Sequence, residues 1–227
     1  MIPILLLAES FIRQNRWLLA TLAAWPFVLG AFLWSPHGKA GYTDVAELLQ
    51  QEIFYGVAVI TFLASSAIYN DRRSRRIIGV LSKGVSRTQY LLGLLLGAVC
   101  CGTAYFAAVG GSVWWLLGYS RAAFAAVLAL FLCGCLACVW MAALAILFST
   151  FVYPFFAAAI AAAVASIPLV MPSTKLIFVP AALIRDALSF SSAVNWTILL
   201  IAVLESAAIL ALASSIFARR DVTVSAE

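Results

Sequence analysis

The chain has 227 residues, of which 65% are hydrophobic and only 10% charged, with a formal net charge of +5. A soluble domain is about half apolar and a quarter charged, so this composition excludes a single water-soluble core and points to a membrane protein. The positive excess is clustered between apolar runs and reads as membrane topology, not as a nucleic-acid-binding surface.

Residues 1–16 are expected to form an interfacial helix. Glu9, Ser10, Arg13, Gln14 and Arg16 fall near one helical face, and Ile4, Leu5, Leu7, Ala8, Phe11 and Ile12 on the other. The alternative is a ragged start to the first span. Nothing here has the form of a cleavable signal: no basic residue precedes the first apolar run, and no small-x-small site follows the second. The first span is expected at 17–34, with Pro26 inside it, and the second at 52–69. Between them lie His37, Lys39, Asp44 and Glu47. Asp44 and Glu47 can start a helix that runs on into the second span. His37, the single histidine, reads as a solvated loop residue rather than a metal ligand.

Residues 70–86 form a basic loop. Arg72, Arg73, Arg75, Arg76 and Lys83, with Arg87 just beyond, hold six of the fourteen basic residues. Each arginine at the bilayer centre costs about 2.5–3.5 kcal/mol, so the loop stays in water, on the cytoplasmic side. Ile77, Ile78, Val80 and Leu81 recur at helical spacing beside the arginines, which predicts a short surface helix over residues 72–82. The chain then breaks at Gly84. Ser86, with Gln89 three residues on, forms a capping box, and Val85 and Tyr90 a hydrophobic staple, opening a third span at 87–117. That span carries Gly93, Gly97, Gly102, Gly110 and Gly111, expected as positions of close helix approach. The chain has no G-x-x-x-x-G-K-[ST] sequence, so any ATP used is hydrolysed elsewhere.

A fourth span is expected at 122–148 and a fifth at 151–171, joined by Ser149 and Thr150. All five cysteines, Cys100, Cys101, Cys133, Cys135 and Cys138, lie in apolar runs and read as small packing residues, despite the Cys-x-Cys-x-x-Cys spacing of the last three. Residues 172–196 are too polar and broken to span. Pro180 suits the first position of a short helix through Leu188, on the outer surface or dipping back in, with Lys175, Arg185 and Asp186 as solvated charges. The last span, 197–217, ends in Arg219 and Arg220. Six spans with both termini cytoplasmic put ten basic residues inside and leave Lys39, Arg121, Lys175 and Arg185 outside. Glu205 is the acidic side chain expected at mid-membrane depth. Its cost of about 3 kcal/mol is offset by the surrounding aliphatic residues, and it is either a pathway residue or is hydrogen-bonded to Thr61, Ser65 or Ser66.

The run Gly79-Val80-Leu81-Ser82-Lys83-Gly84-Val85-Ser86-Arg87-Thr88-Gln89-Tyr90-Leu91-Leu92-Gly93 resembles the first cytoplasmic loop of ABC-2 family permeases, whose pattern is roughly G-x-L-x-x-L-L-S-x-P-V-S-R-x-x-Y-L-x-G-K-x-x-G. Gly84 stands where the family usually has proline, Leu94 where it often has lysine, and Arg75-Arg76 in place of an acidic-glycine lead-in. With the span pattern, the resemblance covers the whole chain. It implies a prokaryotic inner-membrane permease subunit that pairs with a second permease, most simply as a homodimer. Two copies of a separate ABC ATPase would carry the ATP and magnesium.

The resemblance further implies that the loop is a coupling helix docking into the ATPase. Arg72, Arg73, Arg75, Arg76, Ile77, Ile78, Leu81, Ser86 and Arg87 are its candidate docking residues, with Glu9 and Arg13 packed beside it. The pathway candidates are Glu205, Thr61, Ser65 and Ser66. Besides the ATPase and second permease, the expected partners are membrane lipids, and the chain itself is not expected to be an enzyme or to bind a cofactor or nucleic acid. The Ala-rich, Trp-rich interior favours an amphipathic cargo. One alternative is an ABC-2-like subunit that drives a periplasmic process without export. Another is a membrane-embedded lipid-active enzyme, for which a single loop histidine and one mid-membrane acid are a poor toolkit.

Overall fold

The computed structural model describes residues 2–33, 42–82, 84–117, 119, 121–174, 178–189 and 195–219, and among these the chain is all-helical. The helices, in order, are α1 (Ile2–Gln14), α2 (Arg16–Leu33), α3 (Tyr42–Arg73), α4 (Arg76–Leu81) and α5 (Arg87–Leu116). They are followed by α6 (Arg121–Ser149), α7 (Pro154–Val170), a 3-10 turn at Pro172–Thr174, α8 (Pro180–Leu188) and α9 (Trp196–Arg219). Val45–Arg73, Arg87–Leu116, Ala123–Ser149 and Trp196–Arg219 are long and apolar enough to cross a membrane; Arg16–Phe32 and Pro154–Val170 are apolar but shorter. His37, Lys39, Lys83, Lys175 and Arg220 lie outside the described residues.

α6 is the central post, packed by α3, α5, α7, α8 and α9. Its alanines allow this: Ala137, Ala142, Ala143 and Ala145 are fully buried, and side chains this small bring neighbouring backbones close. α5 is the second post and receives α1 and α2 on its other flank. Its glycines act as sockets. A methyl group added at Gly97 would lie 2.8 Å from Phe11 Cβ, and one at Gly93 would lie 2.6 Å from Leu7 Cβ, so these positions must stay bare for α1 to dock.

α1 is therefore more than a surface helix. Leu7, Ala8 and Phe11 are buried against α5, whereas Leu5 and Leu6 remain exposed. α3 begins ahead of the apolar run, as Asp44 and Glu47 suggested, and stays helical through Arg72 and Arg73. The short helix expected over 72–82 is thus two pieces. The end of α3 and the six-residue α4 are separated by Ser74 and Arg75, with Arg75 left-handed at φ 56°.

α8 starts at Pro180 as expected and buries Pro180, Ala182, Leu183 and Ala187 among α6, α7, α3 and α9. Val179, at its start, hydrogen-bonds Glu205, which in turn accepts from Trp140 on α6, while Asp186, seven residues on, is within electrostatic reach of Cys133 on α6. Because numbering rises along α8 as it falls along α6, the two run antiparallel. α8 is packed into the bundle, which agrees with the second of the two expected placements, a helix dipping back in, and not with one lying on the outer surface.

Candidate functional site

The basic loop folds into a tight elbow between α3 and α5. Arg75 takes the left-handed conformation, and Ser74 caps the end of α3 by donating its hydroxyl to the Asn70 carbonyl at 2.8 Å. Gly84, at φ 79°, makes the second reversal, a conformation that costs glycine nothing. The capping box then forms as read from the sequence. The Gln89 N–H donates to Ser86 Oγ at 3.2 Å, and the Ser86 N–H donates to Gln89 Oε1 at 3.0 Å.

Polar contacts close this elbow between α3 and α5 and stitch it to two other helices, α1 and α9. Asp71, 4% exposed, accepts from the Tyr90 hydroxyl at 2.9 Å and pairs with Arg76 at 3.8 Å. Arg76 also donates to Ser10 Oγ on α1. Arg87 donates to the Phe217 and Ala218 carbonyls at 2.8 and 2.9 Å, which satisfies acceptors that the end of α9 would otherwise leave open. The Phe217 ring in turn stacks on Tyr90 at 6.0 Å. The amphipathic helix, the elbow and the carboxyl end of α9 consequently meet at one end of the bundle.

The expected docking residues divide along this geometry. Arg73, Arg75 and Ile78 are exposed, Ile78 by 46%, and Leu81 is half-buried. Ile77 is completely buried and cannot form part of a surface, so it is the seat on which α4 rests. Arg76 and Arg87 are turned toward the body of the protein, Ser86 is used in the cap, and Arg72 is half-buried with interactions of its own. Glu9 and Arg13 are polar residues of the adjoining α1, Arg13 exposed.

The pathway candidates are not brought together. Glu205 accepts from Trp140 Nε1 at 2.7 Å and takes a backbone hydrogen bond from Val179 at the start of α8, so it pins the inserted helix to α6 and α9. Thr61, Ser65 and Ser66 instead donate to the carbonyls of Val57, Phe62 and Leu63 on their own helix. The expected bond from Glu205 to one of these hydroxyls is therefore corrected: an indole and a helix start take that place.

Glu52, expected only as the first residue of a span, is fully buried. It accepts from the Tyr105 hydroxyl through Oε2, while its Oε1 has no hydrogen-bonding partner among the described residues. Gly56, one turn on, accommodates the Tyr105 ring. The stripe Val45, Leu49, Glu52 and Gly56 at three- and four-residue spacing carried the signal that Glu52 faces inward. Nineteen residues separate Glu52 from Asp71 on α3, about 28 Å at 1.5 Å per residue, close to the roughly 30 Å of hydrocarbon in a bilayer. The segment between them holds no charged residue.

Taken together, these features define an all-α protein of membrane type, with apolar helices threaded past two buried carboxylates and a basic elbow at one end. Compared with known protein families and curated proteins, the chain matches no family model and no curated protein.

Proposed function

We propose that this chain is the membrane subunit of an ABC-2-type exporter, in which the elbow is the coupling helix for a separate ATPase. It crosses the inner membrane six times, with α2 and α7 as the two shorter crossings and both termini cytoplasmic. Two such chains, most simply a homodimer, work with two ATPase copies that hold ATP and magnesium. The chain moves an amphipathic cargo and does no chemistry itself.

The observation that carries this reading is the mechanical layout of the elbow. A six-residue helix presents one exposed isoleucine, Ile78, beside exposed Arg73 and Arg75. The same elbow is tied to α3 and α1 by Asp71, Arg76 and Ser10, and to α9 by Arg87. The helix bearing Ile78 is thus tied to α3 by an ion pair at 3.8 Å and to α1 by a hydrogen bond, and the start of α5 just beyond it is tied to α9 by two more. An arginine cluster that only touched lipid phosphates would not need this stitching. The meeting of α1, the elbow and the end of α9 at one end also favours a common side for Arg13, Arg16, the elbow arginines and Arg219.

Coexpression with the ATP-binding cassette protein encoded nearest to this chain tests the reading. The wild type is expected to copurify with the ATPase. Ile78→Asp is expected to lose it while eluting as a single folded species, because the side chain is already exposed. An ATPase that fails to bind the wild type, or binds Ile78→Asp equally well, contradicts the proposal.

A further inference from the structure

Beside the elbow, where α1 breaks into α2, a groove runs up the flank of α3. Its lower part, of about 250 Å³, is lined by Gln14, Asn15, Ser66, Asn70 and Ser74, with Asp71 at its wall. Its upper part, of about 450 Å³, is lined by Leu18, Ala58, Val59 and Phe62. Gln14, Asn15 and Leu63 border both parts, so this is one groove with a polar foot and an apolar shaft.

We propose that this groove holds one membrane phospholipid with a primary-ammonium head group. The foot is rich in acceptors. Ser66 Oγ donates to the Leu63 carbonyl at 3.0 Å and Ser74 Oγ to the Asn70 carbonyl at 2.8 Å, so both hydroxyl protons are committed within the chain while their oxygens retain lone pairs, and the Asp71 carboxylate stands at the wall. Such a foot suits a head group bearing N–H donors, and the exposed Arg13, Arg16 and Arg73 at the same end of the bundle suit its phosphate. The dimensions agree. Ala58 lies twelve residues above Asn70, about 18 Å along α3, and one hydrocarbon leaflet is about 15 Å deep. An acyl chain entering beside Ser66 therefore runs along the shaft while its head group stays at the boundary. The inference needs α3 to cross a membrane but not the transporter reading.

Native mass spectrometry of the full chain released from nanodiscs tests it, with phosphatidylethanolamine and phosphatidylcholine as equimolar probes. The wild type is expected to keep one phosphatidylethanolamine per chain, about tenfold in preference to phosphatidylcholine, whose trimethylated nitrogen has no N–H to donate. Ala58→Trp, filling the shaft from α3, and Leu18→Trp, filling it from α2, are each expected to lower retention about tenfold while elution and thermal unfolding stay those of the wild type. No retained lipid on the wild type, equal retention of both lipids, or unchanged retention in a folded tryptophan variant overturns the proposal. So does loss of a dimer, instead of a lipid, in those variants. The wild-type preference needs no substitution and stands even if a variant fails to fold.

Discussion

The same pair of helices, α3 and α5, is clasped twice by a carboxylate and a tyrosine, and the two clasps differ. At the basic end, Tyr90 donates to Asp71, and Arg76 pairs with the same carboxylate before reaching Ser10 on α1. Some nineteen residues away, Tyr105 donates to Glu52, which is sealed from solvent and has one oxygen without a partner among the described residues. The first clasp is linked onward to elements beyond its own helix pair, while the hydrogen bonds of the second, among the described residues, join α3 to α5 alone. On the proposed reading, transmission belongs to the first end and anchoring to the second.

Substitutions can break or sharpen this contrast, and the largest effect belongs beneath the elbow. Ile77→Asp buries an unpaired carboxylate where no solvent reaches, and is expected to cost on the order of 4 kcal/mol. It should abolish monodisperse elution, whereas Ile78→Asp, one residue on, leaves the fold intact. Next come the clasps themselves. Asp71→Asn removes the ion pair to Arg76 and is expected to cost about 1–3 kcal/mol in thermal unfolding. Glu52→Gln keeps an acceptor for Tyr105 and loses no cation, so it is expected to stay within about 1 kcal/mol of the wild type. If the order of the two were reversed, the division between a transmitting and an anchoring clasp would fail.

Gly97→Leu is expected to push Phe11 out of its socket at about 1–3 kcal/mol. Trypsin should then cut at Arg13 and Arg16 faster than in the wild type, because α1 is no longer held against α5. A comparably small effect is expected from Ser86→Ala, which removes one side of the capping box at about 1 kcal/mol, read as a lower unfolding temperature with the ATPase still bound.

Features governed by neighbours in sequence were legible before the structure. The Ser86–Gln89 cap, the break at Gly84 and the start of α8 at Pro180 follow from local backbone chemistry, and each forms as expected. The α5 glycines were readable as small, but not which helix each receives, because Phe11 and Leu7 lie on α1, with α2, α3 and α4 between them and α5 in the chain. Ile77 and Ile78 are equally apolar and adjacent. In a helix of six residues only the packing of the bundle decides which one turns inward. Arg76 and Arg87 looked like surface charges because Ser10 and the Phe217 carbonyl lie 66 and 130 residues away in sequence. Trp140 as the partner of Glu205, 65 residues off, was hidden for the same reason. Glu52 is the exception, since its place on the Val45–Leu49–Gly56 stripe was there to be read.

The measurement that bears most directly on the elbow as a docking element is photo-crosslinking from position 78, with a benzophenone amino acid in place of Ile78, in membranes containing the coexpressed ATPase. A covalent adduct to the ATPase, absent when the same group replaces the exposed Leu200 of α9, is the predicted result. Adducts to lipid alone from a folded protein would contradict it.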